Sequence, residues 1–331
     1  MLADVSFSII SLAIILLSCF LFTNAVEWLG KKLNLGQGIV GSIFAAVGTA
    51  LPETVIPIIA ILFYHDAGSK EIGVGAIAGA PFMLSTLAFF VTGLAVIIYS
   101  ILGKRTLKMN ADVKVISNDL TFFLAIYSVA VLTTAVHYIV IVKNVIAVML
   151  LLSYVLYLKL AFAHDDNKGG DVERLFVSGL FKVDTNMTWI IVQLIAALAG
   201  ILFGAHTFIR YVEDMSGILG VAPLVLSIII TPIATELPEK LNSVIWTGRN
   251  KDTLALGNIT GAMVFQSCFR VVFGMLFTAW DLTGITLMSA VIAIVSAVFN
   301  LAWIRIRKTV NPFALLFSGL LYAALMVYIF R

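Results

Sequence analysis

The sequence predicts an all-α integral membrane protein: ten transmembrane helices arranged as two inverted five-helix repeats, with the second and seventh helices broken. Three observations lead there. Of the 331 residues, 61% are hydrophobic and only 12% are charged, whereas roughly a quarter of an average soluble chain is charged. Ten apolar stretches each reach the roughly 20 residues that a helix needs to cross a bilayer. Finally, Val47-Gly48-Thr49-Ala50-Leu51-Pro52-Glu53 returns in the second half as Ile233-Ala234-Thr235-Glu236-Leu237-Pro238-Glu239. Each copy sets a carboxylate directly after a proline inside an apolar stretch, and an ionisable residue so placed is costly enough to imply function.

The stretches run from about residue 5 to 30, 37 to 64, 72 to 102, 118 to 139 and 143 to 163, then 188 to 212, 218 to 247, 252 to 279, 284 to 304 and 311 to 330. The first has no basic residue ahead of its apolar run, which is longer than that of a secretory signal, so it is read as a retained span. In the second, Pro52 lacks an amide hydrogen and crowds the preceding turn. The helix is therefore expected to break near Gly48-Thr49-Ala50 and free carbonyls otherwise bonded along it. The third carries Gly75, Ala76, Ala78, Gly79 and Ala80, small residues that admit close helix approach. The fourth and fifth are apolar spans, and His137 between them is read as interfacial or packed, as is His206.

From His164 to Asp184 the chain is polar, with Asp165, Asp166, Asp171 and Glu173, and no calcium-binding loop pattern is complete in it. It is read as a solvated linker at 164–187 between a first repeat at 1–163 and a second at 188–331. The sixth span ends near Arg210 and Glu213 as the first ends near Asn24 and Glu27, all read as interfacial anchors. The seventh repeats the expected break around Ala234-Thr235-Glu236, before Pro238, and the eighth repeats the small residues as Gly257, Gly261 and Ala262. The ninth and tenth complete the second half. Cys19 and Cys268, the only cysteines, each fall inside a span and are read as packing residues, so neither a disulfide framework nor a metal cluster is available.

Basic residues set the orientation. Lys31 and Lys32, Lys104 to Lys114, Lys168 to Lys182, Arg249 and Lys251, and Arg305 to Lys308 all lie in or beside odd-numbered loops, against only Lys70 and Lys143 in even ones. Cytoplasmic loops collect Lys and Arg, so the odd loops are expected in the cytoplasm and both termini outside, with the plasma (inner) membrane as the expected location. The net charge of +3 is thus a topology signal. No basic cluster is large enough for nucleic acid, and nothing points to an obligatory protein partner.

Aligning the two Leu-Pro-Glu triplets also aligns Gly75-Ala76-Ile77-Ala78-Gly79-Ala80 with Gly257-Asn258-Ile259-Thr260-Gly261-Ala262. Five spans per half, an odd number, insert the second half from the opposite side, the inverted layout found chiefly in transporters. Each break offers one carboxylate, one threonine and freed backbone carbonyls near the midplane. Such hard oxygen ligands suit calcium, sodium or manganese rather than zinc or copper. Two buried carboxylates close together repel, and the relief is a bound divalent ion, monovalent ions or protons; exchange among those states is antiport.

These motifs resemble those of the cation/calcium antiporter superfamily, in its prokaryotic sodium/calcium exchanger-like branch. The resemblance rests on Gly41-Ser42 through Glu53 with Gly75 to Ala80, and on Ser227 through Glu239 with Gly257 to Gln266. It implies a central site with Glu53 and Glu239 as principal ligands and Thr49 and Thr235 contributing through their carbonyls. It places the carbonyls of Ala46 and Pro232 at a flanking sodium position and Gln266 where the branch carries a site carboxylate or amide. It also implies Ca2+ and Na+ as transported ions, with no cofactor. The chain departs from the family pattern at Ala50 and Glu236, where two serines are usual, at Gly79-Ala80-Pro81 and Gly261-Ala262-Met263 in place of Gly-Ser-Asn, and at Leu84, the first-half counterpart of Gln266.

Glu236 has two readings, a site ligand or a helical i,i+4 partner of Lys240. Lys240 snorkels or pairs, and Arg270 pairs with an acidic neighbour, or one of the two acts as a built-in cation. The leading functional expectation is a secondary-active antiporter exchanging calcium or a related cation for sodium. Proton-coupled exchange, favoured by the missing hydroxyls and surplus carboxylate, is the alternative within transport, and a non-transporting membrane protein with degenerate motifs is the alternative outside it. An enzyme is disfavoured, because neither a Gly-x-Ser-x-Gly elbow nor a His-Glu-x-x-His pair occurs.

Overall fold

The computed structural model describes residues 2–50, 54, 77, 79–163, 172–219 and 236–329. Regular structure among them is helical throughout: α1 (Leu2–Lys32), α2 (Gln37–Ala50), α3 (Gly79–Ile101), α4 (Val113–Leu132), α5 (Val140–Ala163), α6 (Phe176–Phe181), α7 (Met187–Leu219), α8 (Leu237–Gly248), α9 (Asp252–Phe277), α10 (Gly284–Arg307) and α11 (Pro312–Ile329). Eight of these, α1, α3, α4, α5, α7, α9, α10 and α11, are long and apolar enough to cross a membrane. They coincide with eight of the ten predicted spans. The second and seventh spans are described only as α2 and α8, so Glu53, Pro232 and Thr235 lie outside the described residues, as do the small residues Gly75, Ala76 and Ala78.

α2 is helical through Gly48, Thr49 and Ala50, so the interruption expected at these three residues is not found there. A proline restricts the backbone most at the residue directly before it, here Leu51, and the one carbonyl it crowds belongs to Gly48, which can adjust within a helical turn, so the backbone up to Ala50 can stay helical. The irregularity in α2 lies earlier, in a wider π-helical turn over Val40–Ala45, and α3 has a second such turn at Leu84–Ala88. Single π turns inside helices gather at functional sites. α8 starts after Glu236, whose φ of −92° and ψ of 5° fall outside helical geometry. Pro238 then sits in its first turn, where the missing amide has no intrahelical partner to lose.

α9 is the axis of the molecule: Asp252 to Cys268 are buried without interruption, and the helix packs on α2, α4, α5 and α8. Small residues make the α2 contact possible. A Cβ added at Gly261 would strike the Ser42 backbone, one at Gly257 would stand 3.0 Å from Ser42 Oγ, and one at Gly41 would stand 3.1 Å from the Leu254 carbonyl. Outer faces such as Ile141, Val148 and Leu152 on α5 expose large apolar side chains, as a lipid-facing surface requires. α1 and α7 pair along their length, with Gly200 against Ser18 and Gly204 against Ile15.

Polar contacts, most of them buried, gather the connections into two ends. At one, Lys251 bonds Glu27, Arg105 bonds Asp252 at 2.7 Å, and Arg249 bonds Glu173 at 3.1 Å. At the other, Lys143 donates to the Thr278 carbonyl at 2.6 Å, Trp280 Nε1 donates to the Ala130 carbonyl, and the Leu282 amide donates to Thr134 Oγ1. Lys143 is thus a buried residue of the first turn of α5 rather than a loop residue. Asn24 and Glu27, expected at the interface, are buried instead. Asn24 accepts from Gln193 Nε2 at 2.9 Å and Glu27 from Trp246 Nε1 at 2.9 Å, because both face the α1 partners rather than the headgroups.

Candidate functional site

The site is built on the start of α8. Glu239 lies in its first turn, where the helix dipole favours a carboxylate. The residue is fully buried. Although the Thr49 hydroxyl lies close to its carboxylate, that hydroxyl is directed at the Ala45 carbonyl, so neither carboxylate oxygen has a well-formed hydrogen bond among the described residues. An ionised group buried without partners is strongly disfavoured unless a cation or proton joins it.

Thr49, on α2, is brought to Glu239 through α9. Asn258 Nδ2 donates to the Glu239 carbonyl at 3.1 Å and to Ser243 Oγ at 3.4 Å, while Asn258 Oδ1 accepts from Thr49 Oγ1 at 3.4 Å. Thr49 Oγ1 also donates to the Ala45 carbonyl at 3.0 Å and reaches that of Ala46 at 3.4 Å, one turn back, so these two carbonyls and the hydroxyl form one oxygen-rich strip. Ala46 is completely buried on that strip. Three of the residues expected at the site, Thr49, Ala46 and Glu239, therefore meet on the junction of α2, α8 and α9. Gln266 is also buried, two turns beyond Asn258 along α9 and one turn before Arg270.

Glu236 and Lys240 form the i,i+4 pair, at 2.9 Å with side chains only 4% and 6% exposed. Lys240 Nζ also reaches the Glu236 carbonyl at 3.4 Å. Both lie within Coulombic reach of Glu239, and buried Arg270 lies within such reach of Glu236.

Sequence reasoning missed three polar residues. Asn258 stood inside a motif read only for its glycines, yet it joins all three helices. Asn242, one turn after Glu239, is fully buried with neither amide atom partnered among the described residues. Asp119, buried in α4, accepts from Ser42 Oγ at 2.6 Å, Thr260 Oγ1 at 2.7 Å and Tyr157 Oη at 3.0 Å. A carboxylate near the start of a predicted span was its signal, the same rule that marked Glu53 and Glu239.

The model of the family described as "Sodium/calcium exchanger protein" matches residues 4–163 and 189–331. The chain belongs to the sodium/calcium exchanger protein family. This family is one of cation antiporters, not of enzymes, and the helices of this member make it an integral membrane protein. The sodium-calcium exchanger NCX_Mj shares its fold. In the form soaked with 2.5 mM Na+ and 0.1 mM Sr2+, the two superpose with a TM-score of 0.76 over 98% of each chain at 18% identity. In the form soaked with 2.5 mM Na+ and 0.1 mM Ca2+ the TM-score is 0.74 over 99% of this chain and 98% of that one, at 19% identity. In sequence, the uncharacterized membrane protein MJ0091 of Methanocaldococcus jannaschii is 25% identical over 256 residues, 77% of this chain and 76% of that protein.

Proposed function

We propose that this exchanger family member moves calcium or a related cation against sodium by alternating access at a midplane site whose two principal ligands are Glu53 and Glu239. One observation carries the reading: Glu239 is wholly buried within a membrane protein, and its two oxygens lack well-formed hydrogen bonds among the described residues. Such a group needs a cation or a proton, and an uncompensated site would oppose the change of access that a compensated site permits. The oxygen-rich strip at Ala45, Ala46 and Thr49 supplies neutral donors beside it, with Thr235, the Pro232 carbonyl and Gln266 as further ligands. In this reading the chain forms ten spans in two inverted repeats, 1–163 and 188–331, joined by a cytoplasmic linker, in the plasma membrane with both termini outside. Support comes from the family match, which divides at the same linker, and from the gathering of odd-numbered connections at one end of the bundle. The proton-coupled alternative leaned on a surplus carboxylate, and the Lys240 ammonium now stands against that carboxylate.

Vesicle flux tests this. Sodium-loaded proteoliposomes diluted into sodium-free buffer should take up labelled calcium, and Glu239→Gln and Glu53→Gln should each abolish that uptake. Uptake driven by a pH gradient alone would move the assignment to proton coupling. Equal flux in wild type and both variants would remove the two glutamates from the mechanism.

A further inference from the structure

The ion pair beside Glu239 is more than a helix-stabilising contact. On a solvated helix an i,i+4 Glu–Lys pair adds only a small increment, and it does so where both groups keep their water. Here both side chains are almost completely buried, and desolvating two ions for one such contact is a poor route to stability. The pair also stands at a particular place. Glu236 is the residue from which α8 starts, three positions before Glu239, and all three charged groups from 236 to 240 are buried. Each partner is within Coulombic reach of the Glu239 carboxylate. The ammonium of Lys240, 2.9 Å from Glu236 Oε2 and 3.4 Å from its carbonyl, sits against two oxygens as a monovalent cation bound there would. Glu236, Glu239 and Lys240 together carry a net charge of −1, where two carboxylates without the lysine would carry −2.

We propose that Lys240 is a tethered cation of the transport site, filling with its own side chain a position that Glu236 would otherwise hold for one mobile monovalent ion. This rests on the antiport reading above. Its consequence is a specificity device: the protein completes its cycle with one fewer coupling cation than its carboxylates alone would require. Lys240 would travel with the site through the access change rather than being exchanged.

The experiment counts ions in two ways. Purified protein in detergent is titrated with sodium, and separately with calcium, while thermal unfolding is followed; reconstituted protein is assayed for calcium uptake as a function of sodium. Lys240→Met should acquire a steeper sodium dependence, with the Hill coefficient rising by about one, and should be stabilised by sodium more than wild type. Glu236→Gln should shift the other way, with a shallower sodium dependence and a weaker calcium response, since an unpaired ammonium then repels incoming cations. Lys240→Arg should keep the wild-type ion number even where its rate falls. If Lys240→Met yields folded protein only when sodium is present during purification, the proposal is supported. If it yields none, the Glu236→Gln titration decides alone. Wild-type Hill coefficients and wild-type sodium stabilisation in every folded variant would overturn the tethered-cation proposal while leaving the antiport reading intact. A wild-type protein that neither transports nor is stabilised by any cation would bring down the antiport reading itself.

Discussion

At the scale of single residues, buried polar groups divide into those that are satisfied and those that wait for a partner. Asp119 belongs to the first kind. Its carboxylate takes hydroxyl hydrogens from Ser42, Thr260 and Tyr157, and so ties α4 to α2, α9 and α5 at one point. Asp119→Ala would take the carboxylate acceptor from three buried hydroxyls, leaving Thr260 its bond to the Leu256 carbonyl at 3.1 Å, and hydrogen bonds to charged groups contribute about 1.5–3 kcal/mol each. The expected loss is at least ~3 kcal/mol, seen as a lower melting temperature, with Asp119→Asn losing less because its amide oxygen still accepts. Equal melting temperatures for all three proteins would show that the hub carries no stability. Glu239 belongs to the second kind. Because its oxygens have no well-formed hydrogen bond to lose among the described residues, Glu239→Gln should keep or raise the melting temperature of the cation-free protein while removing its stabilisation by calcium. The two acids were not equally legible in the sequence. Glu239 announces itself by following a proline and by recurring, whereas the role of Asp119 depends on hydroxyls from three other helices, which only packing brings together.

At the scale of elements, the site depends on how closely α2 and α9 approach. Gly261 lets the Ser42 backbone press against α9, and no side chain fits in that gap. Gly261→Ala must push α2 outward and with it Thr49 and Ala46, so uptake should fall at least tenfold and stability by about 1–3 kcal/mol, the usual range for an overpacked contact. Gly79 is the control within the same small-residue pattern. A Cβ there meets nothing within 4 Å among the described residues, and Gly79→Ala, at the first residue of α3, should be close to neutral. A comparable loss of uptake in both variants would separate close approach from function. The spacing of small residues was readable in advance, as was the length of eight of the spans. The π-helical turns at Val40–Ala45 and Leu84–Ala88 were not, because in spans that are apolar on nearly every face one extra residue in a turn leaves no break in a polar–apolar pattern to read.

At the scale of the whole molecule, the contacts show which connections share an end, and the basic residues are the basis for proposing which end faces the cytoplasm. Arg105, Glu173, Arg249 and Lys251 meet around α1 and the α8–α9 turn, while Thr134 and Lys143 meet the 278–282 connection. That separation is what an odd number of crossings per half demands, since each half must begin and end on opposite sides. Chemical labelling can test it, because the only native cysteines, Cys19 and Cys268, are buried and should stay silent. Lys104 and Lys308 are exposed beside odd-numbered connections and Tyr138 is exposed beside an even one. A membrane-impermeant maleimide should therefore label Lys104→Cys and Lys308→Cys in inside-out vesicles and Tyr138→Cys in right-side-out vesicles. Reversal of both sets would leave the proposed inverted architecture standing and overturn only the orientation read from the lysines and arginines. Labelling of Lys104→Cys and Tyr138→Cys from one side would do more damage, because the span between them would then cross the membrane an even number of times and the two halves could no longer be inserted in opposite senses.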